Sequence, residues 1–123
     1  MHEFSMVSAV VETVLEFVEA RRIKKVLQVR LAVGELTSLE PEQLRFGYQA
    51  IVKRTPINGS TLEIEKVAAE VNCPHCRYQG RPKYWDDASL QEPVPTLQCP
   101  ACGKAAEAAR GHECEIRKIK YVT

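Results

Sequence analysis

Four of the five cysteines stand in two close pairs, Cys73-Pro74-His75-Cys76 and Cys99-Pro100-Ala101-Cys102-Gly103, and no other feature limits the fold as strongly. In each pair a tight turn aims two thiolates at one point, and two such knuckles supply the four soft donors of a tetrahedral site. The 22 residues from 77 to 98 that separate them slightly exceed the usual ribbon spacing of about 15–20, and a hairpin with a longer tip absorbs the excess. The spacing predicts one zinc ion held by Cys73, Cys76, Cys99 and Cys102. Four thiolates saturate such an ion and leave no position for water or substrate, so its role is architectural. The same ligands would suit a redox dithiol or an iron or iron–sulfur site. A thioredoxin-like dithiol sits on a strand-to-helix unit, whereas these pairs lie among Pro74, Gly80, Pro82, Pro93, Pro95, Pro100 and Gly103. Little ordinary core can form in such a stretch, and metal binding worth on the order of 10–16 kcal/mol takes over its stabilisation.

The totals set the frame around this module. At 123 residues the chain has room for one ordinary domain, or for a small domain with a metal-stapled appendage. A hydrophobic share of 45% and a charged share of 27% match an average globular protein. Seventeen basic against sixteen acidic residues leave a formal charge of +1, which lacks the basic footprint of a nucleic-acid binder. No apolar run reaches the roughly 18 residues of a membrane span, and Met1-His2-Glu3 does not open a signal peptide. Together with an odd cysteine count, this points to a reducing compartment, with the cytoplasm as the expected location and neither membrane nor nucleic acid as partner.

The rest of the chain reads as helices and strands. From Glu3 to about Arg22, Val7, Val10, Val11, Val14, Leu15 and Val18 recur at helical spacing. Met6, Ala9 and Phe17 widen the apolar arc, so this helix is expected to pack on both a sheet and a second helix. Arg21, Arg22, Lys24 and Lys25 suit its carboxyl end as a solvated cap. Val26 to Val33 alternates as a half-buried strand, with Leu27, Val29, Leu31 and Val33 on one face and Gln28 and Arg30 on the other. Pro41, flanked by Glu40 and Glu42, starts a second helix whose buried face is Leu44, Tyr48 and Ile51. Thr55-Pro56 stops it, and Asn58-Gly59 turns the chain into a strand at about Ser60. Leu62 and Ile64 share one face of that strand, but Val67, Ala69 and Val71 fall in the opposite phase, which implies a bulge or a change of burial. From Gly111 to Thr123, Ile116, Ile119, Tyr121 and Val122 are β-like again and are expected to return to the first sheet. The predicted class is α+β: a small three-stranded sheet packed with two helices, plus an inserted zinc-ribbon-like module built on the four paired cysteines. Residues 1–71 together with 112–123 are read as one α/β domain and 72–111 as the zinc-binding domain.

The amino terminus carries a second candidate metal site. If Met1 is retained and unblocked, its α-amine, the backbone nitrogen of His2 and the imidazole Nδ1 form fused chelate rings around one ion. Three nearly coplanar nitrogens favour square-planar Ni(II) or Cu(II). Met1-His2-Glu3-Phe4-Ser5, Val33-Gly34-Glu35-Leu36, the Pro41-Glu42 helix start and the paired Cys-x-x-Cys knuckles together resemble the HypA/HybF family of hydrogenase nickel-incorporation proteins, over essentially the whole chain. The resemblance implies a nickel metallochaperone in which His2 and nearby backbone hold Ni(II), Met1 contributes its amine, and Glu3 lies beside them. It also implies that Cys73, Cys76, Cys99 and Cys102 hold the zinc. The partners it implies are a nickel-binding, HypB-like GTPase maturation factor and the large subunit of a [NiFe]-hydrogenase, with urease maturation proteins served by some relatives. The chain itself is read as a monomer or weak homodimer.

Cys114 and His112 depart from the pattern expected of the family. Cys114 is read as a small buried apolar side chain, and His75 and His112 as surface or hydrogen-bonding groups, since four thiolates already satisfy zinc. Asp86-Asp87 is read as a polar turn. No nucleophile-and-base motif, phosphate loop or open metal site suggests an enzyme. The alternative function is a zinc-ribbon interaction module acting on nucleic acid or a transcription complex, against which the near-zero net charge weighs.

Overall fold

The computed structural model describes residues 3–123. In chain order its elements are α1 (Glu3–Arg21), β1 (Lys25–Gly34), a 3-10 turn (Glu35–Thr37), α2 (Pro41–Val52), β2 (Thr61–Val67), β3 (Glu70–Asn72), β4 (Gln79–Gly80), β5 (Tyr84–Trp85), β6 (Val94–Pro95), β7 (Glu107–Arg110) and β8 (Cys114–Val122). They divide between two compact units. The first takes the chain up to Ala32, Leu39–Glu65 and Cys114–Thr123, and the second takes Val33–Ser38 and Lys66–Glu113.

In the first unit α1 buries Val7, Val10, Val11 and Val14, the stripe its 3.6-residue period demands, and packs against α2. Gly47 of α2 faces Val7 of α1, and a Cβ there would make only ordinary contact with the valine, so the crossing does not require glycine. α1 ends where Arg22 turns left-handed at φ 52°, with the Ile23 N–H donating to the Val18 carbonyl at 3.1 Å, a Schellman-type closure. Phe17 near that end meets Tyr121 of β8 edge to face at 5.6 Å. α2 begins at Pro41, whose missing N–H costs nothing in a first turn. Its buried face is Leu44, Gly47, Tyr48 and Val52. Ile51, expected on that face, is half-buried, because Val52 falls closer to the Leu44–Tyr48 line.

The sheet order β2-β1-β8 returns the tail to the first strands, as the reading of residues 111–123 expects. β1 is its central strand, and Val29, Leu31 and Val33 are buried. Leu27 departs from the expected face: it is 43% exposed while Val26 is 2% exposed. The carboxyl half of β1 does not alternate, because Leu31, Ala32, Val33 and Gly34 are all buried, as befits a strand covered on both faces.

The phase flip between Ile64 and Val67 falls within β2, where Leu62 and Val67 are the buried residues, just ahead of a change of sheet. β2 ends at Val67, and β3 resumes at Glu70 in a second sheet of order β4-β3-β7. There Val71 pairs with Gly80 of β4 and with Ala108 of β7, both antiparallel. A separate hairpin pairs Tyr84 with Pro95 and Trp85 with Val94. Around the cysteines of this second unit Val71, Cys73, Cys99 and Ala106 form one buried cluster, with Tyr78 packed on it, and Val33, Val67 and Ala69 are buried in the same unit. A segment running from β1, Val33–Ser38, closes on this unit: the Gly34 N–H donates to the Glu113 carbonyl at 2.7 Å and the Leu36 N–H to the Gly111 carbonyl at 2.8 Å. Any Cβ at Gly34 would run into the Gly111 carbonyl, so this crossing requires glycine. The structure is therefore α+β, with two helices, a three-stranded sheet and a four-cysteine module of the zinc-ribbon type.

Candidate metal centre

One backbone device builds both knuckles. The Cys73 carbonyl accepts from the Arg77 N–H at 3.0 Å, while the Cys73 N–H donates to the Tyr78 carbonyl at 2.8 Å. Cys99 repeats the pattern, with its carbonyl accepting from the Gly103 N–H and its N–H donating to the Lys104 carbonyl, both at 2.9 Å. Pro74 and Pro100 fix φ at the second position of each turn. The fifth position turns left-handed, at φ 64° for Arg77 and 78° for Gly103. Glycine adopts that conformation freely, and arginine adopts it against a steric cost.

The four sulfurs consequently converge. All lie within 4.8 Å of one another, with Cys73 and Cys102 Sγ 3.6 Å apart and Cys76 and Cys99 Sγ 3.5 Å apart. Sulfurs about 2.3 Å from one tetrahedral ion stand about 3.8 Å from each other, so the set has the size a single ion needs. These separations exceed the roughly 2.05 Å of a disulfide, and all five cysteines are free. Each knuckle contributes one buried sulfur, Cys73 or Cys99, and one exposed, Cys76 or Cys102. Backbone amides also aim at the buried pair: the N–H groups of Ala101 and Cys102 reach Cys99 Sγ at 3.3 and 3.5 Å.

Those amides set the protonation of the metal-free thiols. Burial pushes Cys73 up, but the backbone N–H groups of Cys76 and His75 outweigh it and bring the thiol down to about 7. Burial likewise raises Cys99, and the amides of Cys102 and Ala101 bring it below the ordinary thiol value. At Cys76 the Tyr78 amide pulls downward, yet the Cys99 sulfur and burial prevail and the thiol is pushed up to about 12. An ion that takes all four as thiolates therefore expels the protons still held at neutral pH.

Beside the cysteines, within the same unit, lies a polar cluster that sequence pattern did not single out. Glu35 Oε1 accepts from the Ala69 N–H at 2.8 Å, the Tyr84 hydroxyl at 2.8 Å and Arg81 Nη2 at 3.3 Å. The Arg81 guanidinium also donates to the Tyr84 hydroxyl through Nε and Nη2. The Tyr78 hydroxyl donates to the Arg81 carbonyl at 2.8 Å. A chain of bonds thus links the first knuckle to the Val33–Ser38 segment.

The remaining residues fall as follows. Cys114 is half-buried in β8, with its thiol raised by burial, and it is outside the four-sulfur cluster. His75 and His112 are exposed. Asp87 forms a polar turn, its Oδ1 accepting from the Ser89 N–H at 2.9 Å and the Ser89 hydroxyl at 3.1 Å, which hold its carboxyl below the usual range. Glu3 opens α1, and its Oε2 accepts from the Glu40 N–H at 3.1 Å. Met1 and His2 lie outside the described residues.

Against known protein families, residues 1–121 match the model described as hydrogenase/urease nickel incorporation, metallochaperone, HypA. The chain belongs to the HypA family. Its members are nickel metallochaperones of hydrogenase and urease maturation. Among the HypA relatives, the hydrogenase maturation factor of Methanopyrus kandleri is 36% identical over 134 residues, covering 98% of this chain and 92% of that protein. The one from Methanothermobacter thermautotrophicus is also 36% identical, over 121 residues, covering 98% and 96%. The solution structure of the nickel metallochaperone HypA from Helicobacter pylori superposes with a TM-score of 0.67 at 18% identity, covering 99% of this chain and 98% of that one. At that identity the likeness concerns the fold, which the HypA relatives share with this chain. The donor set, four soft thiolates closed around one point, can hold one metal ion.

Proposed function

We propose that this member of the HypA family carries two metals with different tasks. Zinc, held by Cys73, Cys76, Cys99 and Cys102, fastens the second unit and takes no part in transfer. Nickel is the cargo, bound at the amino terminus through the Met1 amine and the backbone nitrogen and imidazole of His2, with Glu3 beside them. The observation that carries this reading is the family match, which starts at residue 1 and runs to residue 121. It takes in the Met1-His2-Glu3 segment and both knuckles. The closed four-sulfur cluster supports the division of labour, because it leaves a second ion no room among those ligands.

The two roles follow the proposed domains, nickel with residues 1–71 and 112–123, zinc with residues 72–111. A terminal site with few protein ligands exchanges its ion readily, which suits a carrier. The recipient is the large subunit of a [NiFe]-hydrogenase, reached with a nickel-binding, HypB-like GTPase, in the cytoplasm and without a catalytic step by this chain. Among the described residues no helix is long and apolar enough to cross a membrane.

Metal analysis of untagged protein tests the proposal. One zinc and one square-planar Ni(II) per chain are expected after nickel is added. His2→Ala is expected to abolish stoichiometric nickel binding while zinc content and circular dichroism stay unchanged. Full nickel occupancy in that variant would refute the terminal site.

A further inference from the structure

The 22 residues between the knuckles exceed what a ribbon usually needs, and β5 and β6 lie within them. The two strands form a sheet of their own, with Tyr84 opposite Pro95 and Trp85 opposite Val94. Side chains alternate along a strand, so this hairpin has two faces. On one, the Arg81 guanidinium lies over the Tyr84 ring, 5.2 Å from its centroid, and the Glu35 carboxylate accepts from both residues. An aromatic ring, a guanidinium and a carboxylate satisfy one another there.

The other face carries two of those three parts. Trp85, the one tryptophan of the chain, is 57% exposed, and Val94 across from it is 39% exposed. Asp86, Asp87 and Glu92 stand in the exposed connection between the strands, and the one basic residue from 83 to 95 is Lys83. Among the described residues Trp85 meets no other ring and no cation, and none of the three carboxylates makes an ion pair. The part lacking on this face is the cation. Because the Tyr84 hydroxyl is tied to Glu35 and Arg81, the hairpin is held from behind and its outer face is pre-organised, which lowers the cost of binding.

We propose that this outer face docks an arginine-bearing segment of a partner protein. The guanidinium lies on the Trp85 indole, its alkyl stem packs on Val94, and Asp86, Asp87 and Glu92 surround its charge. Indole is the most favourable aromatic face for a cation, and tryptophan is enriched among the anchors of protein interfaces. Arginine suits the site better than lysine, since its planar, weakly hydrated head both stacks on a ring and forks onto carboxylates. An anionic lipid surface or a nucleic acid would be repelled by the same three carboxylates. The site uses no member of the four-sulfur cluster and no residue of the amino terminus, so it holds or fails independently of where nickel binds. A face of this size gives a weak contact, and its exposed charges make that contact sensitive to salt.

Fluorescence titration of the full-length, metal-loaded chain with a peptide alternating arginine and glycine tests this, because the single tryptophan reports its own site. A saturable change in emission that weakens with salt is expected. The same peptide with citrulline for arginine keeps the shape, loses the charge and is expected to give no change. Anisotropy of the labelled arginine peptide then reads the variants. Trp85→Ala and the triple variant D86N/D87N/E92Q each raise the dissociation constant about tenfold, whereas Glu107→Gln, which removes an exposed carboxylate from β7, leaves it unchanged. Circular dichroism and metal content report that each variant is folded. No saturable response to the arginine peptide, equal binding of the citrulline peptide, wild-type affinity in Trp85→Ala, or a loss in Glu107→Gln as large as in the triple variant would each overturn the docking site.

Discussion

At Tyr48 one buried hydroxyl joins the second helix to the start of the strand after it. Its oxygen lies 2.7 Å from Ser60 Oγ, and Ser60 Oγ donates to the Ile57 carbonyl at 2.6 Å. The serine proton is thus committed, and Tyr48 must be the donor to Ser60. Burial raises the tyrosine's pKa, against the lowering effect of the Ser60 bond, so the phenol stays neutral and the bond persists throughout the physiological range. Tyr48→Phe leaves the aromatic packing in place and removes that one donor, at an expected cost of about 1 kcal/mol. A lower urea midpoint with an unchanged slope would be the signature, and an unaltered midpoint would contradict it. At this scale the sequence is a good guide to side chains whose surroundings follow from periodicity: the valines of α1 lie where their spacing says. It misleads at Leu27, which shares the parity of Val29 and Leu31 yet is exposed while Val26 is buried. Alternation is informative only where one face of a strand is wet, and from Leu31 to Gly34 every residue of β1 is buried.

Among elements, the Val33–Ser38 segment is fastened to the cysteine unit by a carboxylate. Glu35 Oε1 serves an amide, a phenol and a guanidinium at once. Glu35→Ala would leave the partly buried Ala69 N–H and Tyr84 hydroxyl without their acceptor, a loss of about 1–3 kcal/mol. Amide hydrogen exchange should quicken in residues 33–38 and 84–95 while α1 and α2 keep their protection; equal exchange throughout would show that the carboxylate is dispensable. No sequence pattern revealed this clamp, because its members stand 34, 46 and 49 residues from Glu35, far outside any local period. The strands β4, β5 and β6, two residues each, are equally silent, being too short to alternate. By contrast, the phase flip after Ile64 is legible, and it falls in the last residues of β2, just before the chain passes from one sheet to the other. The knuckles were legible too, since a Cys-x-x-Cys turn is a local structure that its own residues dictate.

Over the whole molecule, the two units rest on different physics. The first buries a broad set of valines, leucines and isoleucines together with Tyr48, and it holds together by removing apolar surface from water. The second buries only a few small apolar residues, Val33, Val67, Ala69, Val71 and Ala106 beside the two buried cysteines, too little to hold a chain of its length without the bonds that its thiolates make to an ion. Strong chelation, or Cys76→Ser, is therefore expected to erase exchange protection in residues 72–110 while the first unit stays folded. Protection that survives metal removal would show that packing alone suffices there. The path of the chain adds a constraint on engineering. Because the cysteine unit borrows Val33–Ser38 from far upstream, a fragment that carries only Lys66–Glu113 lacks the Glu35 acceptor of the Ala69 N–H and the Tyr84 hydroxyl, and it forfeits the glycine crossing at Gly34 and Gly111. A workable graft has two cut segments, and recombination at a single junction breaks a wall of the donor.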